Sequence, residues 1–194
     1  MNTIEILGFI AGGLGIYVGV PQALRIRKLG HGEGVSLVAW VLMFSMYCAW
    51  AAYGVRISSA STIVCNIVTL LIVGSVVVAL YGSLVKSTAL LMAIALLVSF
   101  FILKIPEILL SITLVISVFS QSPQVIKSFK NQEVLTKSAV SKQALVIGIC
   151  SVSLWAIYAI IREIWLMLGT SLLAMSMYAL ILLFESRNKA KVVN

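Results

Sequence analysis

The stretch "GVPQALRIRK", residues 19–28, puts a proline and an amide at the end of an apolar run and follows them with three positive charges. A close copy, "SQSPQVIKSFK", occupies residues 120–130. Pro21-Gln22 precede Pro123-Gln124 by 102 residues, with Arg25 over Lys127 and Lys28 over Lys130. Beyond the next polar loop the offset becomes 105, which sets Val35-Ser36 over Val140-Ser141, Trp50 over Trp155 and Tyr53 over Tyr158. A Pro-Gln pair followed by bases, and then W-x-x-Y along the next helix, is hard to obtain twice by chance even in a biased composition. The chain reads as a duplicated module.

Working outward, 61% of the 194 residues are hydrophobic and only 10% are charged, with a mean hydropathy of +1.13. Those values lie outside the range of soluble domains. A helix needs roughly 20 apolar residues to cross about 30 Å of hydrocarbon, and this chain is a succession of such runs. It is expected to be an all-α, multi-pass integral membrane protein with seven transmembrane helices, near residues 4–25, 36–55, 58–82, 87–103, 106–127, 138–161 and 164–184. No basic region precedes the first run, so that run is expected to stay as a span. Cys48, Cys65 and Cys150 lie in apolar runs without CxxC spacing, which argues against a disulfide framework or a zinc site.

A net charge of +8 could mark a nucleic-acid binder, but its distribution excludes that reading. Only Arg56, Lys104 and Arg162 fall on one side of the expected spans; the other eleven of the 14 basic residues fall on the opposite side. By the positive-inside rule the N-terminus is outside and the C-terminus cytoplasmic. The plasma membrane is the expected location.

Three helices per module make an odd number of crossings, yet both basic clusters follow their Pro-Gln pair on the same side. An extra crossing is required, and "STALLMAIALLVSFFIL", residues 87–103, supplies it. The expected architecture is therefore two parallel three-helix-bundle repeats joined by a linker helix, 3+1+3. Residues 1–84 form the first repeat, 85–104 the linker, 105–186 the second repeat and 187–194 a basic cytoplasmic tail.

On these residues the chain resembles the SWEET and PQ-loop transporters, and each half is similar to a bacterial SemiSWEET. The carriers are Pro21-Gln22, Pro123-Gln124, Trp50 with Asn66 sixteen residues later, and Trp155 with Ser171 at the same interval. The resemblance implies a passive alternating-access route for sugars through parallel repeats, with both halves contributing to a central site. It also implies a second asparagine where Ser171 stands, and further prolines on helices two and six, where this chain has none.

Proline inside a helix removes a backbone hydrogen bond and clashes with the preceding turn. Pro21 and Pro123 are expected to act as hinges near the cytoplasmic ends of helices one and five, with Gln22 and Gln124 bonding the freed carbonyls; a static kink is the alternative. Trp50 lies about six residues before an outer turn and Asn66 about eight after it, which places both ~9 to 12 Å below the outer surface. Trp155 and Ser171 repeat that placement. Indole faces suit the apolar C–H faces of a sugar, and amide or hydroxyl groups suit its rim, so Trp50, Asn66, Trp155 and Ser171 are the expected substrate-binding residues. Trp40 and Trp165 are assigned to the interfacial aromatic belt. Tyr53 and Tyr158, one turn nearer the outside, form either an outer gate, with Arg56 just beyond, or part of that belt. Gly8, Gly12, Gly15 and Gly19 follow steps of four, three and four and are expected to form a packing seam.

The chain has no aspartate, and its six glutamates lie near expected helix ends, which argues against a proton-coupled carrier. No lysine in residues 164–184 could hold retinal, His31 lies in a loop, and no metal cluster or nucleophile–base pair is visible. No cofactor, no metal and no enzymatic activity are expected. The expected function is facilitated movement of a small neutral polar solute, above all a sugar. The alternatives are a PQ-loop amino-acid or metabolite exporter and a non-transporting sorting receptor similar to the KDEL receptor. The partners are the solute and the lipid bilayer, no nucleic acid is expected, and a homo-oligomer is compatible with the sequence.

Overall fold

Apolar segments without water must satisfy their backbone hydrogen bonds internally, and helices do so within one segment. The structure, a computed structural model, describes residues 3–29, 37–130 and 142–187. Among them the chain is all-helical, with α1 (Thr3–Leu29), α2 (Leu37–Arg56), α3 (Ala60–Tyr81), α4 (Leu84–Lys104), α5 (Glu107–Val118), α6 (Ser122–Lys130), α7 (Lys142–Ile161) and α8 (Trp165–Ser186). A 3-10 turn, Phe119–Gln121, joins α5 to α6. Helices α3, α4, α7 and α8 are each long and apolar enough to cross a membrane, which fits a membrane protein. The Val35-Ser36 and Val140-Ser141 pairs, His31 and the tail after Arg187 lie outside the described residues, as do the side chains of Pro21, Gln22 and Pro123.

The fifth expected span differs from the single helix anticipated over 106–127: it is α5, the 3-10 turn and then α6. Pro123 is the second residue of α6, where a missing N–H costs little because first-turn amides lack intrahelical partners anyway. The tighter turn starts four residues before the proline, at Phe119. Pro21, by contrast, lies within α1, which continues to Leu29. The two prolines therefore occupy different backbone settings.

The chain forms two compact units, Met1–Leu110 and Ser111–Asn194. In the first, α3 packs on both α1 and α2, and α4 covers α2 and α3. Gly8 and Gly12 of α1 are buried, as a packing seam requires. The core joins Trp40, Phe44 and Cys48 of α2 to Val73 and Val77 of α3 and Leu91 of α4. Trp40 is only 7% exposed, which corrects its assignment to the aromatic belt. Its position near a helix end indicates depth, but α4 covers the face on which it lies. Trp165, the first residue of α8, is 70% exposed. In the second unit, α8 packs on both α6 and α7.

Both helical hairpins turn the same corner. After α2, Ser58 N–H bonds Val55 O and Ser59 N–H bonds Gly54 O; after α7, Glu163 N–H bonds Ile160 O and Ile164 N–H bonds Ala159 O. Each pair is a 5→2 and 6→1 closure around one left-handed residue. That residue is Ser58 at φ 50° in one corner and Glu163 at φ 55° in the other, neither of them a glycine. Each bond of the second corner lies 105 residues after its counterpart, the offset already read from the tryptophans. Gly54 lets α3 approach closely, since a Cβ there would stand 2.9 Å from Ile63 N. Gly82, at φ 74°, ends α3 in the left-handed conformation that glycine adopts without penalty.

The start of α3 is capped from two directions. Ser59 Oγ accepts the Thr62 N–H at 3.1 Å, and the Glu5 carboxylate, from α1, accepts the Ser61 N–H at 2.7 Å. Glu5 is thus buried, at 7% exposure, against the positive end of a helix. At the start of α8 the equivalent cap residue, Ile164, has no side chain able to accept.

Candidate functional site

Trp50 and Tyr53 stand three residues apart on α2, so their rings meet one turn apart. The rings are edge-on, with centroids 5.7 Å apart at 81°; Trp155 and Tyr158 on α7 repeat this at 5.4 Å and 82°. The ring quadrupoles favour that arrangement. Tyr53 is 5% exposed and Tyr158 is fully buried, so neither phenol stands on an outer surface as a belt residue would. Trp50 and Trp155 are half-buried.

The arginines beside the two tyrosines do different work. The Arg162 guanidinium lies 5.8 Å from the Tyr158 ring centroid, a cation–π contact. Arg56, expected just beyond a gate, instead donates from Nη1 to the carbonyls of Ile102 at 3.1 Å and Ile105 at 2.9 Å. These carbonyls close the C-terminal end of α4, where the helix dipole favours a cation. Arg56 fastens the end of α4 to the α2 corner.

Asn66 Nδ2 donates to the Thr62 carbonyl one turn back at 2.7 Å, and its Oδ1 has no partner among the described residues. Serines and threonines in helices commonly bond back to a carbonyl of the preceding turn, as Ser45, Thr69 and Thr170 do. Ser171 is different: it is 7% exposed, and no hydrogen bond from its hydroxyl is formed among the described residues. Trp50 is likewise not hydrogen-bonded to Asn66, nor Trp155 to Ser171, among those residues.

At the second Pro-Gln pair, among the described residues, the Gln124 amide bonds a side chain one turn onward, not a carbonyl of the preceding turn. The 3-10 turn re-pairs the backbone there, with Ser122 N–H on Phe119 O. Gln124 Nε2 donates to Ser128 Oγ at 3.1 Å, and Ser128 Oγ donates to Glu185 Oε1 at 2.7 Å. Ser128 is 1% and Glu185 3% exposed, so this polar chain is buried between α6 and α8. Beside it, the rings of Phe129 and Phe184 meet edge-on at 5.2 Å.

Neither Ser128 nor Glu185 stands out in a sequence reading, because a glutamate near a helix end looks like an interfacial charge. A signal was nonetheless present: Ser171, Tyr178 and Glu185 recur every seven residues, which places all three on one face of α8.

With this geometry in hand, the comparison with known proteins is decisive for the family. No protein-family model matches the chain. The protein named sugar transporter SemiSWEET from Escherichia coli is 30% identical over 78 residues, which cover 40% of this chain and 88% of that relative. This chain belongs to the SemiSWEET family. The SemiSWEET relative is shorter than half of this chain.

Proposed function

We propose that this chain is a membrane facilitator of sugars, built from two SemiSWEET-like modules in one polypeptide with α4 as the linker between them. The observation that carries the reading is the match to a sugar transporter shorter than half of this chain. The paired W-x-x-Y contacts and the paired hairpin corners support duplication, because each recurs at the same offset of 105 residues. In the 3+1+3 reading, α5, the 3-10 turn and α6 together make the fifth of seven spans, with the N-terminus outside and the C-terminus cytoplasmic at the plasma membrane.

In this mechanism Trp50 and Asn66 of one module, and Trp155 and Ser171 of the other, bind the solute. Asn66 Oδ1 and the Ser171 hydroxyl, which have no partner among the described residues, are groups that can meet sugar hydroxyls. Buried Tyr53 and Tyr158 close the outer side, and the segments bearing Pro21-Gln22 and Pro123-Gln124 move on the cytoplasmic side. No charged partner is required for a neutral solute moving down its gradient. The test is uptake of labelled glucose, sucrose and neutral amino acids into proteoliposomes, with and without a pH gradient. Saturable sugar uptake indifferent to the gradient is expected; selective amino-acid uptake, or binding without flux, overturns the reading.

A further inference from the structure

In the second unit, α6 is a separate helix of nine residues, too short to be stable by itself in the absence of docking. It packs on α8, and polar side chains meet there at two levels. At its root the Gln121 amide lies close to the Tyr178 hydroxyl. Farther along, Ser128 bonds Glu185 at 2.7 Å and is itself bonded by Gln124. Gln121 and Ser128 are seven residues apart, as are Tyr178 and Glu185, so the two levels are spaced by about 10 Å.

We propose that the Gln124–Ser128–Glu185 chain is a latch that holds the arm α6, the moving cytoplasmic segment of the second module, closed on α8. The inference rests on the transport reading and adds to it the residues that hold the moving segment of the second module. Glu185 is buried, and the hydroxyl of Ser128 supplies a short bond to its carboxyl group. That bond is what opening must break. Gln121 Oε1 is buried without a partner among the described residues, a cost that is relieved when the arm swings and the amide meets water. The first module has no such device: the positions equivalent to Gln121, Ser128, Tyr178 and Glu185 are Gly19, Ile26, Val73 and Leu80. Its proline also lies within a continuous helix. Cytoplasmic opening is therefore asymmetric, led by the second module.

Hydrogen exchange on the full chain in lipid nanodiscs reads the arm without any solute. Ser128→Ala and Glu185→Ala should each speed amide exchange across residues 122–130 by roughly tenfold, while α3 keeps its wild-type protection. Glu185→Gln keeps a carbonyl that accepts from Ser128 and should stay within about twofold of wild type. In proteoliposomes the maximal sugar-exchange rate of Ser128→Ala should rise by about threefold or more, with half-saturation changed by less than about twofold. Unchanged α6 exchange in both alanine variants overturns the latch, as does a Gln variant as loose as the Ala variant, or a maximal rate that is unchanged or falls. Absence of sugar flux in the wild-type protein overturns the transport reading instead, and the exchange measurement distinguishes the two failures.

Discussion

The carboxylate of Glu5 accepts the backbone N–H of Ser61 at 2.7 Å, so a residue of α1 completes the first turn of α3. Removing it leaves a buried N–H without its partner, which costs about 1–3 kcal/mol. Glu5→Ala should lower the thermal midpoint of the detergent-solubilised protein by several degrees. Glu5→Gln keeps an acceptor and loses only the charge facing the helix N-terminus, worth about 0.3–1 kcal/mol, so its loss should be smaller. Equal losses in the two variants would falsify the capping role.

Arg56 closes the α4 terminus through two carbonyls. Arg56→Ala should destabilise the protein by about 1 kcal/mol in thermal or chemical denaturation. Arg56→Lys can still donate, without the planar fork of arginine, and should recover part of that loss. Sugar flux through correctly folded Arg56→Lys protein should remain near wild type; a collapse of flux at unchanged stability would give Arg56 a part in transport beyond fastening α4.

The left-handed residue of each hairpin corner is an opportunity for stabilisation. Glu163 sits at φ 55°, a conformation that costs a residue with a Cβ about 1 kcal/mol and glycine almost nothing. Glu163→Gly should therefore raise the thermal midpoint, and Glu163→Val should lower it, because a β-branched side chain tolerates this region least. A lower midpoint for the glycine variant would show that the Glu163 side chain makes a compensating interaction.

Trp50→Ala and Asn66→Ala should abolish sugar flux while the protein stays folded, as judged by size-exclusion profile and helical circular dichroism. Tyr53→Phe keeps the edge-on contact with Trp50 and should leave stability within about 0.5 kcal/mol, whereas Tyr53→Ala loses about 0.5–1.5 kcal/mol of ring contact beyond its buried area. Unchanged transport in both Trp50→Ala and Asn66→Ala would remove these residues from the solute's path.

The helical runs were legible because the criterion is local. A stretch of about 20 apolar residues must pair its own backbone groups, and only residues within four positions are needed for that. Expected spans at 36–55, 58–82 and 164–184 accordingly became Leu37–Arg56, Ala60–Tyr81 and Trp165–Ser186. Pairings within three or four residues were equally accessible, and the W-x-x-Y spacing became two ring contacts of matching geometry. The division of the fifth run was less accessible: Pro123 was visible, but whether a proline bends, ends or restarts a helix depends on how the backbone around it is paired.

From sequence alone came an all-helical chain with apolar runs of membrane-spanning length, and a motif repeated at a constant offset, because these depend on composition and on spacing along one strand of backbone. Only the tertiary structure decided that Trp40 is core while Trp165 is exposed, and that Glu5 and Glu185 are buried partners rather than interfacial charges. Those outcomes depend on side chains brought together from distant parts of the chain, 56 residues for Glu5 and Ser61 and 57 for Ser128 and Glu185. A helix fixes how deep each residue lies; the neighbour packed against it decides what that residue touches.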